Sequence, residues 1–247
     1  MVSTKTWIQL LLYVLFKKKI HMILRREIKV TGDGSKTLFI PEWNENYHSS
    51  HGAVQEAKHV FLKYGLAEKL NQEEVSIFEV GFGTGLNAIL TYEFAKDHFL
   101  KINYHSIEAY PITIEEIQLL DYVSLFESLE LKEVYQKMHD VTWNESMIIS
   151  ENFQLKKIQD KLEQCQLKDN QYDIIFFDAF GPRVQEGMWS KSHFEKLYNS
   201  LKPGGVFVTY CAKGQVKRDL KAVGFTVETL PGPPGKREMT RGRKSNL

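Results

Sequence analysis

Residues 75–95 of this 247-residue chain read VSIFEVGFGTGLNAILTYEFA, an apolar run that leads through three closely spaced glycines into a second apolar segment. The first run, Val75–Val80, is short and continuous, as expected of a buried strand. Leu86–Ala95 has the length and composition of a helix. Glycines at the junction allow positive φ angles and let the backbone approach a ligand closely. The stretch therefore predicts a strand, a ligand-binding turn and a helix in direct succession.

Alternating strands and helices continue on both sides of this unit. Seven apolar runs predict the strands of one sheet, at residues 75–80, 102–107, 153–158, 172–177, 206–210, 225–230 and 237–241. Helical patterns separate most of them, at residues 52–70, 86–95, 112–137 (two helices), 191–200 and 213–223. Glu27–Val30 and Thr37–Ile40 flank a glycine-rich turn and predict an N-terminal β-hairpin. The order predicts a Rossmann-like α/β fold, with a mostly parallel seven-stranded sheet and helices on both faces.

The composition is that of a soluble enzyme that needs no cross-link. Apolar residues make up 43% of the chain and charged residues 26%, which is ordinary for a globular protein. The two cysteines, Cys165 and Cys211, form no C-x-x-C pair and no cysteine–histidine cluster. We therefore expect neither a disulfide framework nor a metal site. Two reduced thiols fit a cytoplasmic protein.

Residues 1–25 are interpreted as an N-terminal extension outside the core, and residues 26–247 as a single domain. The apolar run Trp7–Phe16 has about half of the roughly 20 residues needed to span a bilayer. Lys17–Lys19 follows this run, whereas a signal peptide carries its charge before it. We therefore expect neither export nor a membrane span. Met22 offers a second start, so residues 1–21 are either an accessory helix or an over-extended reading frame.

Positive charge is concentrated at the two ends of the chain, although the net charge is only +1. Residues 1–36 carry eight Lys or Arg against two acids, and residues 202–247 carry ten against three. Basic ends can attract the phosphates of a nucleic acid. They can equally be solvated termini, and charge alone leaves both interpretations open.

The glycine turn differs from the pattern that binds dinucleotides, which is G-x-G-x-x-G with the pyrophosphate at the N-terminus of the following helix. Here the third glycine, Gly85, comes one residue early, Leu86 takes its place, and the acid Glu79 precedes the first glycine. S-Adenosyl-L-methionine has a sulfonium and an ammonium group and no pyrophosphate, so the variant suits this cofactor better. The sequence thus favours a class I S-adenosylmethionine-dependent methyltransferase, with a purely structural turn as the alternative.

Two acids at the ends of the next strands support this interpretation. Glu108 closes the second strand and can accept both ribose hydroxyls of an adenosyl group. Asp160 follows the third strand and can accept from the adenine amino group. The alternatives are a solvated strand-end glutamate and an exposed loop acid. Their order matches the carboxyl edge of a Rossmann-like sheet, where ligands bind.

Asp178 ends the fourth strand and is the candidate catalytic residue. Methyl transfer needs a nucleophile whose lone pair is free, and an alkyl amine is mostly protonated near pH 7 because its pKa is about 10. An aspartate can position the amine while a dry pocket favours its neutral form. The alternative is a structural strand cap. Trp189 either stacks on a base or packs under a helix, and the basic tail Lys236–Lys244 either contacts phosphates or forms a solvated edge strand.

Several ordered motifs resemble the methyltransferase domain of the MnmC family, which modifies the wobble uridine of certain tRNAs. They span about residues 29–243 and comprise Phe82–Asn87, Asp178–Pro182 with Met188 and Trp189, Lys236–Met239, Tyr47 and His48 with Glu56 and Val60–Leu62, and Ala222–Thr226. The resemblance implies N-methylation of the 5-aminomethyl group of (2-thio)uridine 34, which gives the 5-methylaminomethyl base, with tRNA as the partner.

The same resemblance implies roles for individual residues. Asp178 would be catalytic and would face the amine. The residues on S-adenosyl-L-methionine would be Glu79, Gly81, Phe82, Gly83, Thr84, Gly85, Asn87, Glu108, Asp160 and Asp178. Those on the substrate would be Tyr47, Glu56, Phe180, Pro182, Met188, Trp189, Lys236, Arg237 and Arg241.

Two departures from the bifunctional MnmC pattern matter. The bifunctional enzyme carries a flavin-dependent oxidase domain, and this chain ends before such a domain could begin. It therefore resembles the stand-alone methyltransferase form, MnmD, and we expect no flavin chemistry. Residues 178–182 read DAFGP rather than DGFAP, a swap of small residues that should keep the loop and alter its detailed shape.

Three other functions are alternatives. A methyltransferase acting on a small-molecule amine would show no salt-sensitive binding of tRNA. A nicotinamide- or flavin-dependent oxidoreductase is disfavoured by the early third glycine, and it would give an optical response to NAD(P)H. A catalytically silent RNA-binding module would fail to bind S-adenosyl-L-methionine.

Overall fold

The computed structural model of the protein describes residues 25–126 and 128–246. Its strands are β1 Glu27–Val30, β2 Lys36–Ile40, β3 Glu45–Asn46, β4 Glu74–Val80, β5 Lys101–Glu108, β6 Ser146–Ser150, β7 Phe153–Gln159, β8 Tyr172–Phe177, β9 Leu201–Thr209, β10 Thr226–Pro231 and β11 Glu238–Arg243. Its α-helices are α1 Ala53–Ala57, α2 Leu86–Asp97, α3 Ile114–Leu120, α4 Leu129–Asp140, α5 Lys191–Ser200 and α6 Gly214–Val223. Shorter helical turns are the π-helical Lys58–Lys63 and the 3₁₀ turns Leu66–Lys69, Tyr122–Leu125 and Glu186–Trp189.

The main sheet has the strand order β10-β11-β9-β8-β4-β5-β7-β6. Its five central strands, from β9 to β7, run parallel. The β10–β11 hairpin and β6 pair antiparallel at the two edges. The predicted mostly parallel α/β fold is confirmed, and so is the N-terminal hairpin, in which β2 pairs with β1 and also with the short β3.

The sheet has eight strands in the described residues rather than the predicted seven. The additional strand, β6, is short, and only Ile149 among its five residues is buried. Met147 and Ile148 are exposed at this edge, so no alternation of buried and exposed positions marks the segment. β6 forms because the chain turns back at residues 151–152 and pairs with β7.

Two apolar layers cover the sheet, one on each face. In β8, Ile174 and Phe176 join the layer that contains α2 and α4, whereas Ile175 and Phe177 join the layer that contains α5 and α6. All six β8 residues are buried. Burial on both faces explains why this strand is apolar in sequence except for Asp173, which pairs with Lys202 at 2.8 Å.

The predicted helix at residues 52–70 is irregular. α1 passes into the π-helical turn, and a separate 3₁₀ turn follows. The π-helical turn places three consecutive residues, Val60, Phe61 and Leu62, in the core. Gly65 follows the π-helical turn, and its backbone lies so close to Phe61 that a Cβ would be 2.3 Å from the Phe61 carbonyl oxygen. A residue with a side chain would therefore not fit at this position unless the backbone shifted.

The parallel strands bring their carboxyl ends to one edge of the sheet. Gly81 follows β4, Asp160 follows β7, Asp178 follows β8, and Glu108 is the last residue of β5. The predicted apolar run Trp7–Phe16 lies outside the described residues. Within residues 25–126 and 128–246, no helix is long and apolar enough to cross a membrane.

Candidate active site

A cavity of about 340 Å³ lies at the carboxyl edge of the sheet, between the glycine turn and the N-terminal hairpin. It brings together most of the residues predicted on the cofactor: Gly81, Phe82, Gly83, Thr84, Asn87, Glu108, Asp160 and Asp178. It also brings in three of those predicted on the substrate: Tyr47, Phe180 and Met188. The predicted strand-end acids therefore share one cavity.

The glycine turn forms a bare backbone cradle on the floor of this cavity. Gly81 has φ of 96° and Gly83 has φ of 50°, a region that side chains rarely adopt. A Cβ at Gly81 would lie 2.7 Å from the carbonyl oxygen of Asp178. The Gly83 N–H donates to Glu108 Oε2 over 3.1 Å, so the turn is tied to the end of β5. Gly85 is buried beneath the turn and does not line the cavity.

Asn87 joins two acids under the cavity. Its Nδ2 donates to Glu79 Oε1 over 3.0 Å and to Asp178 Oδ2 over 2.9 Å. The other oxygen of Glu79 accepts from Ser106 Oγ over 2.6 Å. Glu79 is 0% exposed, so it acts on the cavity through Asn87 rather than by lining it.

Burial makes both acids hold their protons more tightly than usual. Loss of water raises the pKa of Glu79 to about 8, with the charge of Asp178 adding to the rise. Burial likewise raises the pKa of Asp178 to about 7, and the Glu56 carboxylate adds to it, while donation from Asn87 and the charge of Lys236 oppose it. Asp178 can therefore exchange a proton near neutral pH.

Glu108 and Asp160 occupy the neighbouring strand ends. Glu108 Oε1 accepts from the Tyr110 N–H over 2.9 Å, in addition to the Gly83 contact. Asp160 Oδ1 accepts from the Lys161 N–H over 2.7 Å. Both residues line the cavity, so each presents a carboxylate acceptor to a ligand there.

This donor and acceptor set fits S-adenosyl-L-methionine. Acids surround a glycine cradle that a Cβ would fill, which suits a sulfonium and an ammonium group. One of the lining cations, Arg26, is paired with Glu116 at 2.9 Å and is not free for a pyrophosphate. No group of three His, Cys, Asp or Glu residues in the described part of the chain can hold a metal ion.

Four further residues that line the cavity were not among the predicted site residues. Arg26, Trp43, His48 and Gln185 line the cavity. His48 is held by Thr84 Oγ1, 3.4 Å from its Nε2, and burial lowers the pKa of the ring to about 4, so it is neutral at pH 7. His48 appears in the sequence only as the neighbour of Tyr47, and Trp43 falls in a segment without helix or strand periodicity.

Three predicted substrate residues, Trp189, Glu56 and Lys236, do not line the cavity. Trp189 is 5% exposed, and its Nε1 donates to the Phe180 carbonyl oxygen over 2.8 Å. Glu56 forms an ion pair with Lys236, whose Nζ lies 4.0 Å from the centroid of the Tyr210 ring. Pro182 does not line the cavity either.

The two predicted arginines of the C-terminal hairpin differ sharply in exposure. The side chain of Arg237 is 93% exposed, with Glu238 at 3.4 Å. Arg241 is 7% exposed and pairs with Glu68 at 2.7 Å and Glu228 at 2.6 Å. The structure therefore leaves Arg237 accessible and encloses Arg241 in an ion-pair network.

A parallel α/β sheet with a glycine turn and strand-end acids around one cavity is the arrangement of a class I methyltransferase. Residues 130–245 match a family described as S-adenosyl-L-methionine-dependent methyltransferase. This segment of the chain thus matches an S-adenosyl-L-methionine-dependent methyltransferase family, and the cavity has the chemistry to hold the same cofactor.

Curated relatives extend the match over most of the chain. The tRNA 5-methylaminomethyl-2-thiouridine biosynthesis bifunctional protein MnmC of Cupriavidus metallidurans is 30% identical over 228 residues, covering 87% of this chain and 33% of the relative. The MnmC protein of Leptospira borgpetersenii is 32% identical over 220 residues, covering 83% and 33%. The chain is therefore similar to the MnmC proteins and spans about a third of their length.

Solved structures share the fold. MNMC2 from Aquifex aeolicus superposes with a TM-score of 0.71 at 22% identity, over 92% of this chain and 72% of that one. Spermidine synthase from Thermotoga maritima gives a TM-score of 0.51 at 11% identity, over 93% and 84%. Both similarities concern the architecture.

Proposed function

We propose that this enzyme methylates the 5-aminomethyl group of (2-thio)uridine at tRNA position 34, giving the 5-methylaminomethyl base. The observation that carries the proposal is that Asp178 lines one cavity together with the glycine turn and the rings of Tyr47 and Phe180. The naming of the relatives for 5-methylaminomethyl-2-thiouridine biosynthesis supports it. We further propose that residues 26–247 act as one domain and that the enzyme works in the cytoplasm.

The same proposal assigns the residues of the site. Glu108 accepts from the ribose, Asp160 from the adenine amino group, and the backbone of the glycine turn lies against the methionine part. Asp178 is the catalytic residue. Tyr47, Phe180 and Met188 contact the base, and Trp189, Glu56 and Lys236 hold these groups in place.

In the proposed methyl transfer, the chain acts mainly through Asp178, which Asn87 joins to the buried Glu79. When bound, S-adenosyl-L-methionine supplies a methyl carbon that an amine can attack. Asp178 orients the amine and takes its proton, which leaves the lone pair on nitrogen free. The alkyl ammonium has a pKa of about 10 in water, but a buried ammonium–carboxylate pair loses solvation at both ends, which favours the neutral acid and amine. Asn87 keeps the Asp178 oxygens in a fixed orientation.

Mass spectrometry of tRNA nucleosides tests this proposal directly. Undermodified tRNA that carries 5-aminomethyl-(2-thio)uridine is incubated with the enzyme and methyl-labelled S-adenosyl-L-methionine. We expect one labelled methyl group on the 5-aminomethyl nitrogen and none on other nucleosides. Label at another nucleoside, or equal labelling of free small-molecule amines, would contradict it. The Asp178→Asn enzyme is the control for label transferred without catalysis.

The reaction should depend on pH through Asp178. Because its pKa is about 7, its ionised fraction falls to about a tenth at pH 6, and kcat/KM should fall about tenfold with it.

Asn87→Ala removes a donor that lowers the pKa of Asp178, so the acidic limb of the pH profile of kcat/KM should move to higher pH. The measurement is kcat/KM between pH 5.5 and 9. Asn103→Ala, at a half-buried position near the start of β5 and far from the carboxyl ends of the strands, is the matched control and should leave the acidic limb in place. A flat profile would contradict the role of Asp178.

The two arginines of the C-terminal hairpin should respond differently to alanine. Arg237→Ala should weaken binding of an anticodon stem-loop RNA and reduce the slope of log K against log salt by about 1, since it removes one exposed phosphate contact. Arg241→Ala should instead lower the free energy of unfolding by about 2 kcal/mol, because Glu68 and Glu228 lose a buried partner. Fluorescence anisotropy and urea unfolding measure the two effects. An unchanged salt slope for Arg237→Ala would exclude it from the RNA surface.

A further inference from the structure

Three aromatic side chains from two separate loops wall the outer side of the cavity. Trp43 and Tyr47 flank the short strand β3, and Phe180 lies two residues after Asp178. The Phe180 ring centroid is 5.3 Å from that of Trp43 and 4.9 Å from that of Tyr47, at interplanar angles of 82° and 84°. All three rings line the cavity that contains Asp178. They are termed the aromatic wall.

Arg183 fixes the aromatic wall from outside the cavity. Its Nη2 donates to the carbonyl oxygen of Trp43 over 2.9 Å and to that of Asn44 over 3.1 Å, and it pairs with the Glu45 carboxylate. Asn44 has a positive φ of 49°, so the turn that presents Trp43 is tightly bent. The guanidinium thus ties this turn to the loop that carries Phe180, and the rings are held in place before any ligand binds.

The aromatic wall is suited to a planar ligand rather than to the cofactor. The acceptors for an adenosyl group, Glu108 and Asp160, lie at the ends of β5 and β7, whereas Trp43 lies in the β2–β3 turn and Phe180 in the loop that follows Asp178. An enzyme that modifies a base takes it out of the stack and commonly replaces the lost stacking with aromatic side chains. Stacking of one base on one aromatic ring contributes about ten- to hundredfold in affinity.

We propose that Trp43 is a specificity-determining residue, whose indole stacks on the target base after the base has left the RNA stack. Arg183 is the positioning residue that holds the indole at the cavity. This inference rests on the proposed function and deepens it, because it assigns recognition of the base to the β2–β3 turn. Neither residue belongs to the motifs that carry the resemblance to MnmC.

Removal of the indole tests the assignment by kinetics. Trp43→Ala should lower kcat/KM for the undermodified tRNA by about ten- to hundredfold, chiefly through KM, and should leave the Kd for S-adenosyl-L-methionine within twofold. Trp43→Phe should retain most of the activity, since a ring remains. Phe99→Ala is the matched control, because Phe99 is 89% exposed at the opposite edge of the sheet. Unchanged kcat/KM in Trp43→Ala would overturn the inference.

Tryptophan fluorescence gives a readout that does not require turnover. An anticodon stem-loop RNA with 5-aminomethyluridine at position 34 should quench the emission of the wild-type protein, and the quenching should be lost in Trp43→Phe. Equal quenching of both proteins would refute stacking on Trp43. If the RNA quenches Trp43 but no methyl transfer occurs, the proposed reaction fails while the stacking stands. If transfer occurs and Trp43→Ala is neutral, only the inference fails.

The positioning role of Arg183 is tested by a double-mutant cycle. Arg183→Met should raise KM for the RNA severalfold with kcat unchanged, and it should add little to the loss in Trp43→Ala, since both changes remove the same stacking platform. Arg183→Lys should restore part of the loss. A general loss of structure would instead lower kcat and affinity for S-adenosyl-L-methionine, and additive effects of the two substitutions would overturn the link between Arg183 and Trp43.

Discussion

Asp178→Ala is expected to reduce methyl transfer by about a hundred- to ten-thousandfold, the range typical for loss of a positioned proton acceptor. The Asp178 carboxylate is the only acid of the Glu79–Asn87–Asp178 chain that lines the cavity. Alanine leaves the amine protonated and without a fixed orientation. The glycine turn and Glu108 remain, so the Kd for S-adenosyl-L-methionine should change by less than about tenfold.

Single-turnover kinetics with labelled cofactor and calorimetric binding measure these two quantities separately. Asp178→Asn is the informative companion, because it keeps the shape and the contact with Asn87 but cannot take a proton. It should be nearly as inactive as Asp178→Ala. Wild-type turnover in either variant would remove Asp178 from the mechanism, and loss of cofactor binding in both would make it a structural residue.

Gly83→Val is expected to weaken binding of S-adenosyl-L-methionine by at least about a hundredfold. A β-branched residue at φ of 50° is strained by about 1–3 kcal/mol, and the turn must change to relieve this strain. That change would break the contact between the Gly83 N–H and Glu108. It would also place side-chain atoms in the cavity that we propose for the cofactor.

The matched control for this prediction is Gly34→Val. Gly34 also has a positive φ, of 82°, but a Cβ there meets nothing within 4 Å. Both variants therefore carry a comparable backbone strain, and a fall in melting temperature should be common to both. Only Gly83→Val should lose cofactor binding in calorimetry. Normal binding by the folded Gly83→Val protein would show that the turn does not hold the cofactor.

Features that depend on local pattern could be predicted from the sequence. The sequence predicts β8 at residues 172–177, as the structure has it, because burial on both faces leaves a run that is apolar except for Asp173. Glu108, Asp160 and Asp178 were predicted to meet because the ends of parallel strands converge. Their presence in one cavity follows from topology and needs no knowledge of side-chain packing.

Features that depend on contacts between distant segments could not be predicted. β6 exists through its pairing with β7, and its own residues show no strand pattern. Glu56 and Lys236 are 180 positions apart and meet only because α1 and the β10–β11 hairpin pack together. Trp43 and Arg26 reach the cavity because the N-terminal hairpin folds over the edge of the sheet, an arrangement that no short motif encodes.

The single amide that spans Glu79 and Asp178 also links occupancy to protonation. A cation that enters the cavity favours the ionised form of both acids, so its arrival should expel a proton into solution at neutral pH. Because the linkage is reciprocal, a lower pH should reduce the affinity of the cavity for that cation. The demethylated cofactor product carries no sulfonium charge. The acids can therefore take up a proton again, which favours release of this product. Each catalytic cycle should thus be accompanied by the release and uptake of a proton at Glu79 and Asp178, the two carboxyl groups that Asn87 joins.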